Sequence, residues 1–208
     1  MLFQKNDVIL FQGDSITDWL RDYKDPDHLG QGYVLTAANL LQARYPEFHL
    51  KILNRGISGN RSIDLVNRWE DECIALKPDV LSILIGVNDT WRRYDSNDPT
   101  TTEQYAHNFR TILEQTKKNL PNTKIVIIEP FLLPVSAEIE SWREDLNPKI
   151  TAARKLAMEF ADVFIPMDGY FASACLYQKP EIWSADGVHP TGVGAALIAD
   201  KWIEAAIQ

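Results

Sequence analysis

The chain has 208 residues, a length that suits one domain of the usual size, roughly 100 to 200 residues, so a single domain spanning residues 1-208 is expected. Its 45% hydrophobic and 24% charged residues are ordinary for a globular protein and exclude a disordered or collagen-like chain. With 21 Lys and Arg against 29 Asp and Glu, the formal net charge is -8, which repels phosphate backbones and anionic lipid headgroups and argues against nucleic acid or membrane partners.

The opening residues Met1 to Asp7 lack the basic stretch and long apolar run of a secretory leader, so a cytoplasmic protein is expected. Cys73 and Cys175 are the only cysteines, too few for a disulfide framework, and no Cys/His cluster points to a metal. Neither metal nor cofactor is expected.

Apolar, β-branched runs at Val8–Phe11, Leu50–Leu53, Val80–Ile85, Lys124–Ile128 and Asp162–Ile165 predict five strands, several of them continuously apolar as strands buried on both faces are. Between them lie helically spaced sets: Val34, Ala37, Ala38, Leu41 and Tyr45; Leu65, Val66, Trp69 and Cys73; Tyr105, Phe109, Ile112 and Leu113; Ile150, Ala153, Leu156, Ala157 and Phe160. A last helix over Thr191 to Ile207 places Val193, Leu197, Ile198 and Trp202 on one face. This alternation predicts an α/β fold with a parallel sheet between two helical layers. Two segments, Gly86 to about Thr102 and Pro130 to about Ser141, read as long loops and therefore as functional ones.

In an open parallel sheet the ligand crevice lies beyond the C-terminal strand ends, so the segments that follow the strands matter most. Gly13-Asp14-Ser15-Ile16-Thr17 follows the first: a serine there has its Oγ exposed among backbone N–H groups, although Asp and Ser are also common helix caps. Asn54-Arg55-Gly56-Ile57-Ser58-Gly59-Asn60 follows the second, with glycines that permit close approach to a substrate or simply a turn. Gly86-Val87-Asn88-Asp89 follows the third; Asn88 reads either as an amide donor into the crevice or as turn chemistry. Ser184-Ala185-Asp186-Gly187-Val188-His189-Pro190 precedes the last helix, and its short turn supplies a local carboxylate, Asp186, to orient a histidine base. His28, His49 and His107 have no such partner pattern and read as structural.

These four blocks, in this order from Val8 to about Gly194, resemble the SGNH or GDSL family of serine hydrolases. The resemblance implies a three-layer α/β/α flavodoxin-like fold with strand order 2-1-3-4-5. It implies that Ser15 is the nucleophile, His189 the base and Asp186 its orienting acid, with the N–H of Ser15, the N–H of Gly56 and the side chain of Asn88 forming an oxyanion hole. Asn54 and Gly59, which flank the second block, also agree. More locally, Gly13 to Asp18 and Asn88 to Asp95 resemble the intracellular bacterial acetylxylan esterases, and with them a homo-oligomer is implied.

The aromatic residues Trp19, Trp91, Tyr94 and Trp183 fall beside the blocks and suit the apolar faces of sugar rings, with Arg92 or Arg93 for hydroxyls; packing in the core is the alternative. Asp14 reads chiefly as a loop-bonding residue and stands with Trp91, Arg92, Tyr94 and Trp183 as a candidate substrate contact. The expected activity is hydrolysis of acetyl esters on xylo-oligosaccharides or related sugars. A broad short-chain carboxylesterase, thioesterase or lysophospholipase uses the same residues, and a silent carbohydrate-binding module would keep the crevice without turnover. A nucleotide-binding domain is disfavoured because no Gly-rich phosphate fingerprint follows the first strand.

Overall fold

The structure, a computed structural model, describes residues 1–208. Five parallel strands, β1 (Val8–Gly13), β2 (Lys51–Gly56), β3 (Val80–Leu84), β4 (Lys124–Ile128) and β5 (Val163–Ile165), form one sheet in the order β2-β1-β3-β4-β5. This is the predicted fold and strand order. Register about β1, which lies between β2 and β3, brings Gly13 beside Gly56 on one side and Leu84 on the other. The segments carrying Ser15, Gly59 and Asn88 therefore leave the sheet at neighbouring points along its C-terminal edge.

The strands read as continuous apolar runs because both faces are covered. Ile9, Phe11, Val80, Val126 and Ile128 pack with α2 (Tyr33–Arg44) and α10 (Gly192–Ile207). Leu10, Leu81, Ile83, Ile125 and Ile127 pack on the opposite face with α3 (Ser62–Trp69), α5 (Thr102–Asn119) and α7 (Arg143–Phe160). The one polar residue within β3, Ser82, is satisfied by the indole N–H of Trp202, 3.0 Å away. In α10 the buried face is Ala195, Ile198, Ala199, Trp202 and Ile203; Val193, expected on that face, points to solvent.

The predicted loop after β3 is in fact a helix, α4 (Val87–Asp95). Its apolar residues Val87, Trp91 and Tyr94 recur at helical spacing and pack against the core, a short pattern set among Asn, Asp and Arg residues that read as a loop; Arg93 also pairs with Glu144 and Asp145 at 3.0 and 3.1 Å. The second predicted loop contains a short helix, α6 (Ala137–Ser141), capped by Ser136. The remaining α-helices are α1 (Ser15–Asp18), α8 (Met167–Ala174) and α9 (Pro180–Trp183). No helix is long and apolar enough to cross a membrane.

Candidate active site

Ser15 opens α1 immediately after β1. Asp14 caps this helix, its Oδ1 accepting the Ile16 N–H at 3.0 Å, and the Ser15 N–H, as the first of a helix, has no intrahelical acceptor. The loop before α10 brings His189 to the same place: Ser15 Oγ and His189 Nε2 are 2.8 Å apart. On the other side of the ring, His189 Nδ1 lies 2.6 Å from Asp186 Oδ2. Asp186 Oδ1 accepts the N–H groups of His189 and Val188 at 2.7 and 2.9 Å, so the three-residue spacing folds the carboxylate back on its own turn. Ser184, buried, sits within 3.1 Å of Asp186 Oδ1 and 2.8 Å of the His189 carbonyl. The Leu133 N–H donates to the Gly187 carbonyl at 2.9 Å, which ties the β4–α6 segment to this turn.

The electrostatics suit proton transfer. The hydrogen bond to Asp186 raises the His189 pKa above its ordinary 6.5, partly opposed by burial and aided by the charges of Asp186 and Asp14. Burial works against the Asp186 carboxylate, but the His189 side chain and the two amides outweigh it and hold its pKa well below the usual carboxylate range. Such an arrangement delivers a serine hydroxyl to a base whose tautomer is fixed from behind.

Asn88, at the start of α4, is buried and donates from Nδ2 to the Asn60 carbonyl at 3.0 Å. Its neighbour Asp89 accepts the Ser62 N–H and Oγ–H at 2.9 and 2.6 Å, locking α4 to the start of α3. The β2 loop and the β3 loop are thus one unit, meeting one residue beyond Gly59.

The two glycines of the β2 loop have different tasks from those expected. The Gly56 N–H already donates to Asn54 Oδ1 at 2.8 Å, and its carbonyl accepts Arg21 Nε and Nη2 at 3.3 and 3.1 Å. A Cβ on Gly56 would lie 2.3 Å from the Asp18 amide nitrogen, so this glycine exists for the close approach of α1 to β2. Gly56 is therefore engaged within the fold and not open to an oxyanion. Gly59 has φ +82°, which favours glycine, and open space where a Cβ would be. Its N–H meets no acceptor in the protein.

The expected substrate contacts divide. The Trp91 ring lies 5.6 Å from that of His189 and 5.5 Å from that of Trp142, on which Tyr94 stacks at 5.0 Å and 9°. Arg92 pairs with Asp95 at 2.6 Å and lies over the Trp91 ring. Trp183 packs against the core at the start of α10 and accepts the Thr191 N–H on its carbonyl. Trp19 backs Gly32, whose Cβ it would meet at 2.9 Å. Asp14 is 1% exposed and lies beneath the site, so it touches no substrate; burial lifts its pKa to about 7, against the pull of the Ile16 amide and of His189. Trp142 has no sequence signal beyond an aromatic residue at the end of the second long segment. A recess of about 450 Å³ between α5 and α7, lined by Thr102, His107, Arg110, Pro148 and Lys155 among others, shares no residue with the Ser15 crevice. No group of His, Cys, Asp and Glu residues is arranged to hold a metal ion.

Comparison with known proteins identifies the family. The sequence is 33% identical to an acetylxylan esterase of Geobacillus stearothermophilus, over 98% of this chain and 95% of that protein. The crystal structure of that esterase superposes with a TM-score of 0.91 at 32% identity, covering 99% of this chain and 96% of the other. A protein of Parabacteroides merdae described as GDSL-like superposes at 0.94 with 43% identity, covering 99% and 98%. Residues 11–197 match the GDSL-like lipase/acylhydrolase family, and the chain belongs to that family of ester hydrolases.

Proposed function

We propose that this esterase removes acetyl groups from xylo-oligosaccharides or related sugars, with Ser15 as nucleophile, His189 as general base and Asp186 as its orienting acid. The observation that carries the reading is the continuous relay of 2.8 and 2.6 Å from Ser15 through His189 to Asp186. His189 Nε2 takes the Ser15 proton as Oγ attacks the ester carbonyl. The developing oxyanion is met by the Ser15 N–H, by an Asn88 Nδ2 hydrogen and, in place of Gly56, by the free Gly59 N–H. The sugar hydroxyl leaves with the proton from His189. Water, deprotonated by the same histidine, then attacks the acyl-enzyme and releases acetate.

The sugar assignment is supported by the aromatic wall of Trp91, Tyr94 and Trp142 beside His189 and by the acetylxylan esterase relative. Aromatic faces suit the apolar C–H faces of pyranose rings. A homo-oligomer, which the resemblance to acetylxylan esterases implies, is in keeping with the exposed Leu176 and Tyr177 beyond α8; light scattering measures this.

The test is acetate release from acetylated xylo-oligosaccharides, beside hydrolysis of p-nitrophenyl acetate and octanoate. Preference for acetate and release from the oligosaccharides are expected. Preference for octanoate, or no release from the sugar, would contradict the substrate assignment. Asn88→Ala should lower kcat by about 10²- to 10³-fold, as removal of one oxyanion donor does, while retaining native circular dichroism.

A further inference from the structure

Asp18 closes α1 three residues after the nucleophile, and its carboxylate is 3% exposed. Both of its oxygens accept hydrogen bonds. Oδ2 accepts the Ser58 N–H at 3.0 Å, the Ser58 hydroxyl at 2.5 Å and the Tyr23 hydroxyl at 2.6 Å; Oδ1 accepts the Arg21 N–H at 2.9 Å. The last bond spans Trp19 and Leu20, consecutive non-glycine residues at φ 34° and 59°. Such left-handed backbone is costly for these residues and persists only when its surroundings impose it.

The strained turn reverses the chain so that Arg21 reaches the Gly56 carbonyl, while Asp18 itself holds Ser58, the residue before Gly59. Helix α1 is therefore fastened to the β2 loop at two points, and the close approach at Gly56 makes both possible. We infer that Asp18 is a positioning residue, which sets the Gly59 N–H against Ser15 by holding Ser58 from the nucleophile's own helix. This rests on the oxyanion reading given above.

A carboxylate is needed because four donors converge on it: in an asparagine at this position the amide nitrogen would face a donor whichever way it turned. A displacement of about 1 Å in a catalytic group costs about 10²-fold in rate. Asp18→Asn is therefore expected to lower kcat for p-nitrophenyl acetate about 10- to 100-fold with KM changed less than about twofold. Its affinity for a short alkylboronic acid, which forms a tetrahedral adduct on serine, should weaken by a similar factor. Ser58→Ala, at an exposed position where folding is not at stake, removes one of the bonds and should lower both by a smaller factor, about three- to tenfold. A purely structural role would lower thermal stability and leave the folded enzyme's kcat and boronate affinity unchanged.

If Asp18→Asn does not fold, Ser58→Ala decides. Wild-type kcat and boronate affinity in the folded variants, with Ser15→Ala inactive, would overturn the role of Asp18 and leave the site assignment standing. A fully active Ser15→Ala would instead remove the site assignment and this inference with it.

Discussion

The two ends of the sheet carry the same kind of residue to opposite effect. At the N-terminal edge, carboxylates bond amides at the start of the strands: Asp79 accepts the Val8 N–H at 2.8 Å and Asp162 the Ile125 N–H at 2.9 Å. Burial opposes the Asp162 charge, but that amide, Lys124 and Lys117 outweigh it and lower its pKa. At the C-terminal edge, Asp14 and Asp89 are buried beneath the crevice, and burial lifts them to about 7 and about 6 despite the hydrogen bonds they accept. Asp14 Oδ2 has no partner at all. One edge uses carboxylates to hold the fold together at neutral pH; the other keeps them where their charge is unfavourable, directly behind the reacting groups. The difference is what a site placed on one end of a well-packed sheet predicts, since functional residues depart from the arrangement that maximises stability.

Substitutions at the two edges should separate activity from stability. The larger effect belongs to the C-terminal edge: Asp186→Asn is expected to lower kcat about 10⁴-fold, the loss typical when a base is left in the wrong tautomer. It should also move the acid limb of the kcat/KM profile downward, because His189 must be neutral to accept the proton and Asp186 is the main cause of its raised pKa. At the other edge, Asp162→Asn should cost about 1.5 to 3 kcal/mol in urea unfolding, the range of one hydrogen bond to a charged group, with kcat unchanged. Its contribution is present above the ordinary carboxylate pKa of 3.8 and is lost as the pH falls through the lowered native value, so wild type and variant should converge in acid.

A third effect has the opposite sign. The Asp14 pKa is raised, so its stabilising contribution is complete below 3.8 and is lost as the pH rises to about 7. Asp14→Asn should flatten that fall, which urea midpoints at pH 5 and pH 8 would measure. A variant that keeps the wild-type slope would break the contrast between the edges.

Legibility in the sequence followed the same division. Strands and core helices could be read because their apolar spacing is imposed by burial on both faces, as Lys124–Ile128 shows. Asp186 and His189 could be paired because they lie three residues apart in one turn, whereas the role of Ser15, 174 residues from His189, came from the resemblance of the four blocks to the SGNH or GDSL family. What escaped notice depends on tertiary contact. Helix α4 has only three apolar residues, Val87, Trp91 and Tyr94, and is held by α7, Trp142 reaches the site only through the packing of Trp91 and Tyr94, and the burial of Asp14, which reads as a loop-bonding residue, has no local sequence signal. Gly56 and Gly59 are indistinguishable as letters; only the bond from the Gly56 amide to Asn54 separates the glycine that packs from the glycine with a free N–H.

The central claim is that ester hydrolysis takes place at this C-terminal edge, through the Ser15 hydroxyl. The most direct measurement is the steady-state hydrolysis of p-nitrophenyl acetate by wild type and Ser15→Ala, with the fold of both checked by circular dichroism. The account predicts that the folded variant loses nearly all turnover, leaving only a small residue over the uncatalysed rate; a folded Ser15→Ala that retains wild-type turnover would contradict it.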